Sequence, residues 1–259
     1  MTSQTTEDLL SLYDRAPLNR RYWVSFTLLA LITVLDFFDF FLIAFILAAI
    51  GPEWHLTYGQ SALILYGGGV GAILGALVWG SLADVWGRKL QIVTGTFICA
   101  VSAGLIGLLP TGAWELLALL RILVGFGLAA AATPCLAIIV ELTPTRHRTG
   151  ITSFYVVFAS AGTLLASFTS AILLSLLGWR GVAMLGITPT IAGLLVWAFV
   201  PESVRWLTAK GRFAEARDEV ARHLALPRDS VPLPTTDQPR RRGRASWNST
   251  PTRGCSGRP

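Results

Sequence analysis

Residues 23–50 read WVSFTLLALITVLDFFDFFLIAFILAAI, an apolar run that contains two acidic residues and no basic one. A helix of about 20 residues crosses the hydrocarbon core of a bilayer, so this run is long enough to span a membrane. Further apolar runs follow at residues 61–82, 90–109, 114–139, 151–177 and 182–200. Continuous apolar runs indicate helices rather than the alternating strands of a membrane barrel. The sequence therefore predicts an all-α membrane protein with six transmembrane helices.

The composition agrees with a membrane protein. Of the 259 residues, 53% are apolar and 14% are charged, whereas soluble domains carry about 25% charged residues. The mean hydropathy is +0.59. These values nearly exclude a soluble enzyme. No His lies inside an apolar run and no pair of nucleophile and base can be recognised, so we expect no enzymatic activity.

The net charge of +6 does not indicate a nucleic-acid partner, because most of the excess lies in residues 227–259, with seven Arg and two Asp. This stretch is rich in Pro, Arg, Ser, Thr and Gly, which cannot bury a core, so we predict a disordered basic tail. It resembles an out-of-frame or truncated ending, and a natural linker of unusual composition is the rival interpretation. The three cysteines, Cys99, Cys135 and Cys255, are odd in number and lack metal-ligand spacing. We therefore expect neither a disulfide framework nor a metal or other cofactor.

Polar segments flank the apolar runs. Residues 1–22 come first, and no signal-peptide cleavage site follows them, so they are interpreted as a retained N-terminal segment. Residues 23–201 hold the six helices, and residues 202–226 form a cytosolic linker. Within the linker an amphipathic helix is predicted over residues 210–225, because apolar residues recur at spacings of three and four: Phe213, Ala216, Val220 and Leu224.

Basic residues in the short loops predict the orientation. One set of helix ends carries nine of them and the opposite set carries only Arg180. The basic side is expected to be cytoplasmic, which places both termini there. The nine residues are Arg20, Arg21, Arg88, Lys89, Arg146, Arg148, Arg205, Lys210 and Arg212.

The second apolar run contains Gly67, Gly71 and Gly75 at intervals of four, so they share one helix face and predict close approach of another helix. A dinucleotide-binding loop is the rival interpretation, but no strand precedes the glycines and Leu74 occupies the position of the last one.

A short segment joins the second and third runs. Residues 80–89 read GSLADVWGRK, which resembles the Gly-x-Leu-Ala-Asp-x-x-Gly-Arg-Lys signature of major facilitator superfamily transporters. From the residues alone, the basic pair would be a positive-inside anchor and the Asp a helix cap. The resemblance implies a cytoplasmic latch between two halves of a transporter that includes Gly80, Asp84, Gly87, Arg88 and Lys89.

Other segments resemble the same family in the same order. Residues 121–127 (RILVGFG) are similar to its Arg-x-x-x-Gly-x-Gly pattern in the fourth helix. Residues 141–148 (ELTPTRHR) are similar to its Glu-x-x-Pro-x-x-x-Arg exit, with Thr149 where Gly is usual, and residues 201–207 (PESVRWL) resemble the segment after the sixth helix of sugar porters and metabolite:proton symporters. The resemblance implies cytoplasmic charge motifs at Glu141, Arg148, Glu202 and Arg205.

Three charged residues lie well inside the runs, namely Asp36, Asp39 and Arg121. A charge at the bilayer centre costs about 2.5–3.5 kcal/mol or more, so each is a candidate functional residue. Asp36 and Asp39 share a helix face, and Arg121 reaches a depth similar to that of Asp39. Because burial favours a neutral acid and a nearby cation favours the carboxylate, this group can load and release a proton. A static salt bridge that fixes helix register is the alternative.

The element Asp36-Phe37-Phe38-Asp39 resembles the Asp-Gly-x-Asp element of aromatic acid:proton symporters, with Phe37 in place of Gly. Residues 159–164 (ASAGTL) lack the Gly-Pro-x-x-Gly-Gly pattern of drug:proton antiporters, which are therefore less favoured. The resemblance implies the N-terminal half of a proton-coupled symporter for a small organic acid or sugar-like metabolite. Its expected partners are the lipid bilayer of the cell membrane, protons, the substrate and a complementary C-terminal half. The alternative is a non-transporting membrane fragment.

Overall fold

The computed structural model of the protein describes residues 11–12, 18–227 and 231, which form helices and short connections. The predicted all-α fold is confirmed. Apart from Pro227 and Val231, the predicted tail lies outside the described residues. The helices are α1 (Arg20–Glu53), α2 (Tyr58–Trp86), α3 (Arg88–Ile106), α4 (Trp114–Leu142), α5 (Thr145–Met184), α6 (Pro189–Phe199), α7 (Val204–Ala209) and α8 (Phe213–Leu224).

Local sequence signals begin and end these helices. The side chain of Asn19 accepts a hydrogen bond of 2.8 Å from the Tyr22 N–H at the start of α1. At the start of α2, Thr57 and Gln60 form a reciprocal capping box. Between α2 and α3 lies Gly87, whose φ of 90° suits glycine and lets the chain turn sharply.

Five apolar stretches among the described residues are long enough to cross a membrane, and the last of them, Thr145–Phe199, has 55 residues. As one helix it would be about 80 Å long at 1.5 Å per residue, well beyond a hydrocarbon core of about 30 Å. The helix is broken at Gly178, where φ is 65° and ψ is 175°. The fifth and sixth predicted spans are therefore two legs of one stretch.

The second leg, residues 179–199, runs antiparallel to α3. Gly104 and Thr96 of α3, and Gly107 directly after it, lie beside residues of this leg that follow one another in the opposite order. From Gly107 through Gly104 to Thr96, these neighbours are Arg180, Ile187 and Gly193. The chain consequently makes six crossings, as predicted. We call the bundle end with Arg20, Trp86–Arg88, Leu142–Thr145 and Phe199 the basal end, and the opposite end the distal end.

Glycines let α4 pack at backbone distance against two neighbours. A Cβ atom added to Gly71 of α2 would lie 1.9 Å from the carbonyl oxygen of Ile122, and one added to Gly127 of α4 would lie 2.5 Å from the carbonyl oxygen of Gly95 on α3. Gly67 and Gly75 approach α4 in the same way as Gly71. The predicted packing role of the second-run glycines is confirmed.

Replacement of Gly71 tests this packing. We expect Gly71→Ala to destabilise the folded chain by about 1–3 kcal/mol, because a rigid main chain occupies the space that the methyl group needs. Gly69→Ala on the same helix is the matched control, since a Cβ there meets nothing within 4 Å. Thermal unfolding of both variants in detergent micelles, followed by circular dichroism, measures the difference. Equal melting temperatures would contradict the close approach.

The amphipathic helix predicted over residues 210–225 is observed as α8, and it packs on the basal end. Ala216 and Val220 are buried in the same apolar cluster as Phe26 of α1. The Asn19 side chain donates a hydrogen bond of 2.7 Å to the carbonyl oxygen of His223, and the Arg21 guanidinium donates to the carbonyl oxygen of Arg222. The start of α1 thus holds the last turn of α8, where carbonyl groups lack partners within the helix.

Docking of α8 should depend on pH through His223, which is buried. Burial and the positive charge of Arg21 lower the pKa of His223 from 6.5 to about 4. Between these two values the undocked imidazole is protonated and the docked one is neutral, so acidification weakens docking. The loss reaches about 2 kcal/mol between pH 6.5 and roughly pH 5.

Hydrogen exchange of residues 213–224 at several pH values measures this effect. Protection factors, which are exchange rates corrected for the intrinsic pH dependence of amide exchange, should fall below about pH 6.5, and His223→Asn should abolish this fall in α8. His147→Asn is the control, because His147 is exposed at the start of α5. An unchanged pH profile in His223→Asn would contradict the assignment.

Candidate functional site

The bundle buries three charged side chains between its basal and distal ends. Asp36 and Asp39 of α1 are each 3% exposed, and Arg121 of α4 is 2% exposed. The structure therefore brings together the three residues that the sequence singled out. The distal α5–α6 connection also closes on this site, since a Cβ added to Gly186 would lie 3.2 Å from Oδ1 of Asp39.

Arg121 binds the main chain of α1. Its Nη1 donates to the carbonyl oxygen of Asp39 at 3.3 Å, and its Nη2 donates to that of Phe40 at 3.1 Å. The guanidinium carbon lies 5.8 Å from the centre of the Phe40 ring. On α2, Gly68 leaves room for the guanidinium, because a Cβ there would lie 3.2 Å from Nη2. Arg121 thus holds α1 and α4 together.

The Asp39 carboxylate is close to Arg121 without a direct hydrogen bond to it. Neither carboxylate oxygen of Asp39 has a hydrogen-bond partner among the described residues. The guanidinium of Arg121 nevertheless reaches the same residue, because its Nη1 lies 3.3 Å from the Asp39 carbonyl oxygen. Attraction without a fixed hydrogen bond leaves the carboxylate able to change its protonation state while Arg121 keeps its main-chain contacts.

Asp36 lies one helical turn nearer the basal end than Asp39. The groups close enough to interact with it electrostatically are Asp39, Cys99, Cys135 and Tyr155. The Tyr155 hydroxyl is hydrogen-bonded to the hydroxyl of Thr33, and Thr33 in turn donates to the carbonyl oxygen of Leu29 at 3.2 Å. Polar groups therefore continue from Asp36 toward the basal end along α1.

A second group of charges surrounds Glu141 at the basal end. Arg88 forms a salt bridge with Glu141, and the Ser203 hydroxyl donates to Oε2 of Glu141 at 2.7 Å. The Nε of Arg205 lies 3.8 Å from Oε1 of Glu141. Arg148 lies apart from this carboxylate and donates to the carbonyl oxygen of Thr143 at 3.3 Å. Three separate sequence motifs therefore meet at one buried acid.

Glu202 caps the start of α3 from a distant part of the chain. Its Oε1 accepts the N–H groups of Arg88 at 3.1 Å and Lys89 at 3.0 Å, two of the donors that a helix start leaves unpaired. Burial raises the pKa of Glu202, although its backbone hydrogen bonds oppose the change. Only glycine fits at position 87, because a Cβ there would lie 2.7 Å from Oε2 of Glu202.

The other two residues of the predicted latch contribute differently. The Asp84 side chain is exposed, but its carbonyl oxygen accepts a hydrogen bond of 3.1 Å from the Trp206 indole. A Cβ added to Gly80 would meet nothing within 4 Å. Within this chain, the linker after α6 thus fastens the turn between α2 and α3.

A sequence model described as the Major Facilitator Superfamily matches residues 29–248 of the chain. The chain belongs to this superfamily. Because the chain belongs to this superfamily and contains long apolar helices, it is a membrane-embedded protein of a transporter family.

Curated members of the superfamily resemble the chain over most of its length. The 4-hydroxybenzoate transporter PcaK of Pseudomonas aeruginosa is 31% identical over 84% of this chain and 48% of the relative. The gallate transporter of Pseudomonas putida is 31% identical over 78% and 45%. The niacin transporter NiaP of Acinetobacter baylyi is 28% identical over 85% and 50%. The chain spans about half the length of these relatives.

A solved structure shows the same superfamily fold. The xylose transporter XylE from E. coli, in a partially occluded inward-open conformation, superposes with a TM-score of 0.66 at 22% identity. The match covers 82% of this chain and 56% of XylE. This likeness supports the fold of a six-helix half.

Several residues around Asp36, Asp39 and Arg121 were not predicted from the sequence. Thr33 lies three positions before Asp36 on the same helix face, so its spacing was an available signal. Gly68, Gly186 and the two cysteines gave no such signal. Only the packing of separate helices brings Gly68 to Arg121, and Gly186, Cys99 and Cys135 to the carboxylates.

Proposed function

We propose that the chain is the N-terminal half of a proton-coupled symporter for a small organic acid, with an aromatic carboxylate favoured over a sugar-like metabolite. The observation that carries the proposal is the burial of Asp36, Asp39 and Arg121 in one layer of the bundle. Charged side chains at membrane depth commonly belong to ion or proton pathways, since burying them without a function is costly.

The proton site is Asp39, and Arg121 controls it. A buried carboxyl group is favoured as the neutral acid, and a nearby cation favours the carboxylate. A small displacement between α1 and α4 that stretches the main-chain hydrogen bonds of Arg121 changes the distance between its guanidinium and the Asp39 carboxylate. Such a displacement would couple helix movement to loading and release of a proton.

Three relatives support the substrate class. They are named for transport of 4-hydroxybenzoate, gallate and niacin, which are all aromatic carboxylic acids. Uptake of a carboxylate together with a proton transfers no net charge, so a protonatable Asp39 suits this cargo. The XylE likeness keeps a sugar-like cargo as the second candidate.

The proposed membrane orientation places the basal end in the cytoplasm. The basal end and the helices that follow it carry the nine basic residues of the loops, while Arg180 lies at the distal end, over the ring of Trp179 at 4.7 Å. The positive-inside rule then assigns both ends of the described chain to the cytoplasmic side.

Single cysteines test this orientation in intact cells. Cysteines at Glu53 and Thr111 should react with an impermeant external thiol reagent, whereas cysteines at Val85 and Arg146 should not. All four positions are exposed, so accessibility differs only through the membrane. A site at Gly178 is unsuitable, because its φ of 65° would strain a cysteine. Labelling of Val85→Cys and Arg146→Cys from outside would overturn the orientation.

The proposed partner is a complementary C-terminal half. Transporters of this superfamily bind substrate near the midplane between two six-helix halves, and this chain corresponds to about half of its relatives. Alone it would behave as a non-transporting membrane fragment, which is the competing function. We therefore expect no proton-driven accumulation by the purified chain in liposomes.

A chimera tests the transport function directly. Residues 18–227 would replace the matching half of the P. aeruginosa 4-hydroxybenzoate transporter. We expect proton-driven uptake of 4-hydroxybenzoate, gallate or niacin, measured with labelled substrate. Asp39→Asn should abolish accumulation and preserve substrate exchange, because exchange needs no net proton release.

The matched control for the chimera is Glu53→Gln, a neutral replacement of an exposed acid on the same helix, which should accumulate substrate normally. Accumulation of xylose or myo-inositol without the aromatic acids would overturn the substrate class. Normal coupling in Asp39→Asn would eliminate Asp39 as the proton carrier. Loss of folded protein in Asp39→Asn would instead favour a static role.

A further inference from the structure

Three phenylalanine rings form a continuous row along one side of α1. The ring of Phe41 stacks on that of Phe37, with centres 6.3 Å apart and planes inclined by 30°. The same ring meets that of Phe40 edge to face, with centres 5.4 Å apart. Aromatic rings attract one another in both arrangements when their centres are about 4.5–7 Å apart. We call Phe37, Phe41 and Phe40 the aromatic row.

The aromatic row reaches from α5 to α2. A Cβ added to Gly162 of α5 would lie 2.8 Å from the Cβ of Phe37, and one added to Gly68 of α2 would lie 3.3 Å from a ring carbon of Phe40. Both end residues are half-buried, whereas Phe41 between them is 39% exposed. The middle ring therefore presents an uncovered aromatic surface between the two helices.

The α2 end of the row carries a positive charge. The guanidinium carbon of Arg121 lies 5.8 Å from the centre of the Phe40 ring, and its Nε has no hydrogen-bond partner among the described residues. The two buried acids of α1 point elsewhere, because side chains advance by about 100° per residue around a helix. Phe41 consequently points about 140° away from Asp36 and about 160° away from Asp39. The row is thus closer to the cation than to the carboxyl groups in its orientation, which suits an anionic ligand.

The row depends on a residue in which this chain departs from the element that it resembles. Phe37 occupies the position that Gly has in the Asp-Gly-x-Asp element of aromatic acid:proton symporters. A glycine at this position would leave Phe41 without its stacking partner. Phe37 is therefore a candidate determinant of the ligand preference of this particular chain.

We propose that the aromatic row is the part of the substrate site that binds the ring of an aromatic carboxylate, with Phe41 as the stacking surface and Phe37 as its support. This role rests on the proposed transport function and names the residues that select the cargo. Phe41 lies two positions from Asp39, so a ring stacked on it lies at the depth of the buried charges, near the midplane where superfamily transporters bind substrate.

The chemistry of the row favours an aromatic ring over a saturated one. An aromatic ring on Phe41 gains stacking energy beyond that of the apolar area that it buries. A saturated ring of similar size gains only the burial of apolar area. The carboxylate of either ligand is attracted toward Arg121, so the two rings differ in stacking alone.

Benzoate and cyclohexanecarboxylate separate stacking from apolar burial, because they share charge and approximate size but only benzoate is aromatic. Saturation-transfer NMR of each acid with the 259-residue chain in lipid nanodiscs measures binding without transport, and empty nanodiscs supply the background. We expect benzoate to bind about two- to tenfold more tightly than cyclohexanecarboxylate. Phe41→Leu should remove this preference, since leucine keeps the apolar surface and lacks the ring.

Phe97→Leu is the matched control and should keep the preference, because Phe97 is 54% exposed on α3, which contributes nothing to the row. A preference that survives in Phe41→Leu would overturn the proposal, and so would equal binding of the two acids to the wild type. If Phe41→Leu does not fold, Phe37→Leu supplies a second measurement. Loss of the supporting ring should reduce the preference, and an unchanged preference would contradict the row.

The chimera places the same comparison in a transporter. Benzoate should inhibit uptake of labelled 4-hydroxybenzoate at about two- to tenfold lower concentration than cyclohexanecarboxylate, and Phe41→Leu should make the two acids equally effective. Equal inhibition by both acids in the wild-type chimera would overturn the role of the row. No uptake by the wild-type chimera would instead count against the transport function and leave the NMR result standing.

Discussion

Arg121 can lie inside an apolar helix bundle only because two neighbouring helices accommodate its charge, its hydrogen-bond donors and its size. The carbonyl oxygens of Asp39 and Phe40 accept two of its N–H groups, and the Phe40 ring centre lies 5.8 Å from the guanidinium carbon. Gly68 of α2 leaves the space that the guanidinium occupies. These requirements fix α1, α2 and α4 at one depth, and the glycine contacts between α4 and α3 then set the position of α3.

The basal end depends on a different kind of polar contact. There the charged residues come from the turn before α3, the end of α4 and the linker after α6, and they meet at Glu141 and Glu202. Because Glu202 caps α3, the start of that helix is completed by a residue more than a hundred positions later in the chain. The linker is consequently part of the folded half, and α8 extends it across the start of α1.

Much of this fold could be predicted from residue periodicity, because lipid as a solvent demands long apolar helices with satisfied backbones. The six crossings, the amphipathic helix and the packing face of Gly67, Gly71 and Gly75 all followed from spacing. The candidate charges were also identifiable, since few residue types are tolerated at that depth. What spacing could not supply were contacts between distant segments. The sequence suggested that Arg121 would pair with the Asp39 side chain, yet the hydrogen bonds of Arg121 go to the main chain of α1. Glu202 was predicted as part of a charge motif, but its role as the cap of α3 was not predicted.

Because Arg121 bonds to main-chain oxygens, the link between α1 and α4 does not depend on the side chain at position 39. In a side-chain ion pair, the same carboxylate would provide both the link and the acid chemistry. Every residue has a carbonyl group, so the hydrogen bonds to positions 39 and 40 persist whatever side chains occupy those positions. Evolution or protein engineering can therefore alter the acid at position 39 and its chemistry without detaching the first helix from the fourth. These hydrogen bonds depend on one side chain, that of Arg121, so the acid beside it can be replaced independently.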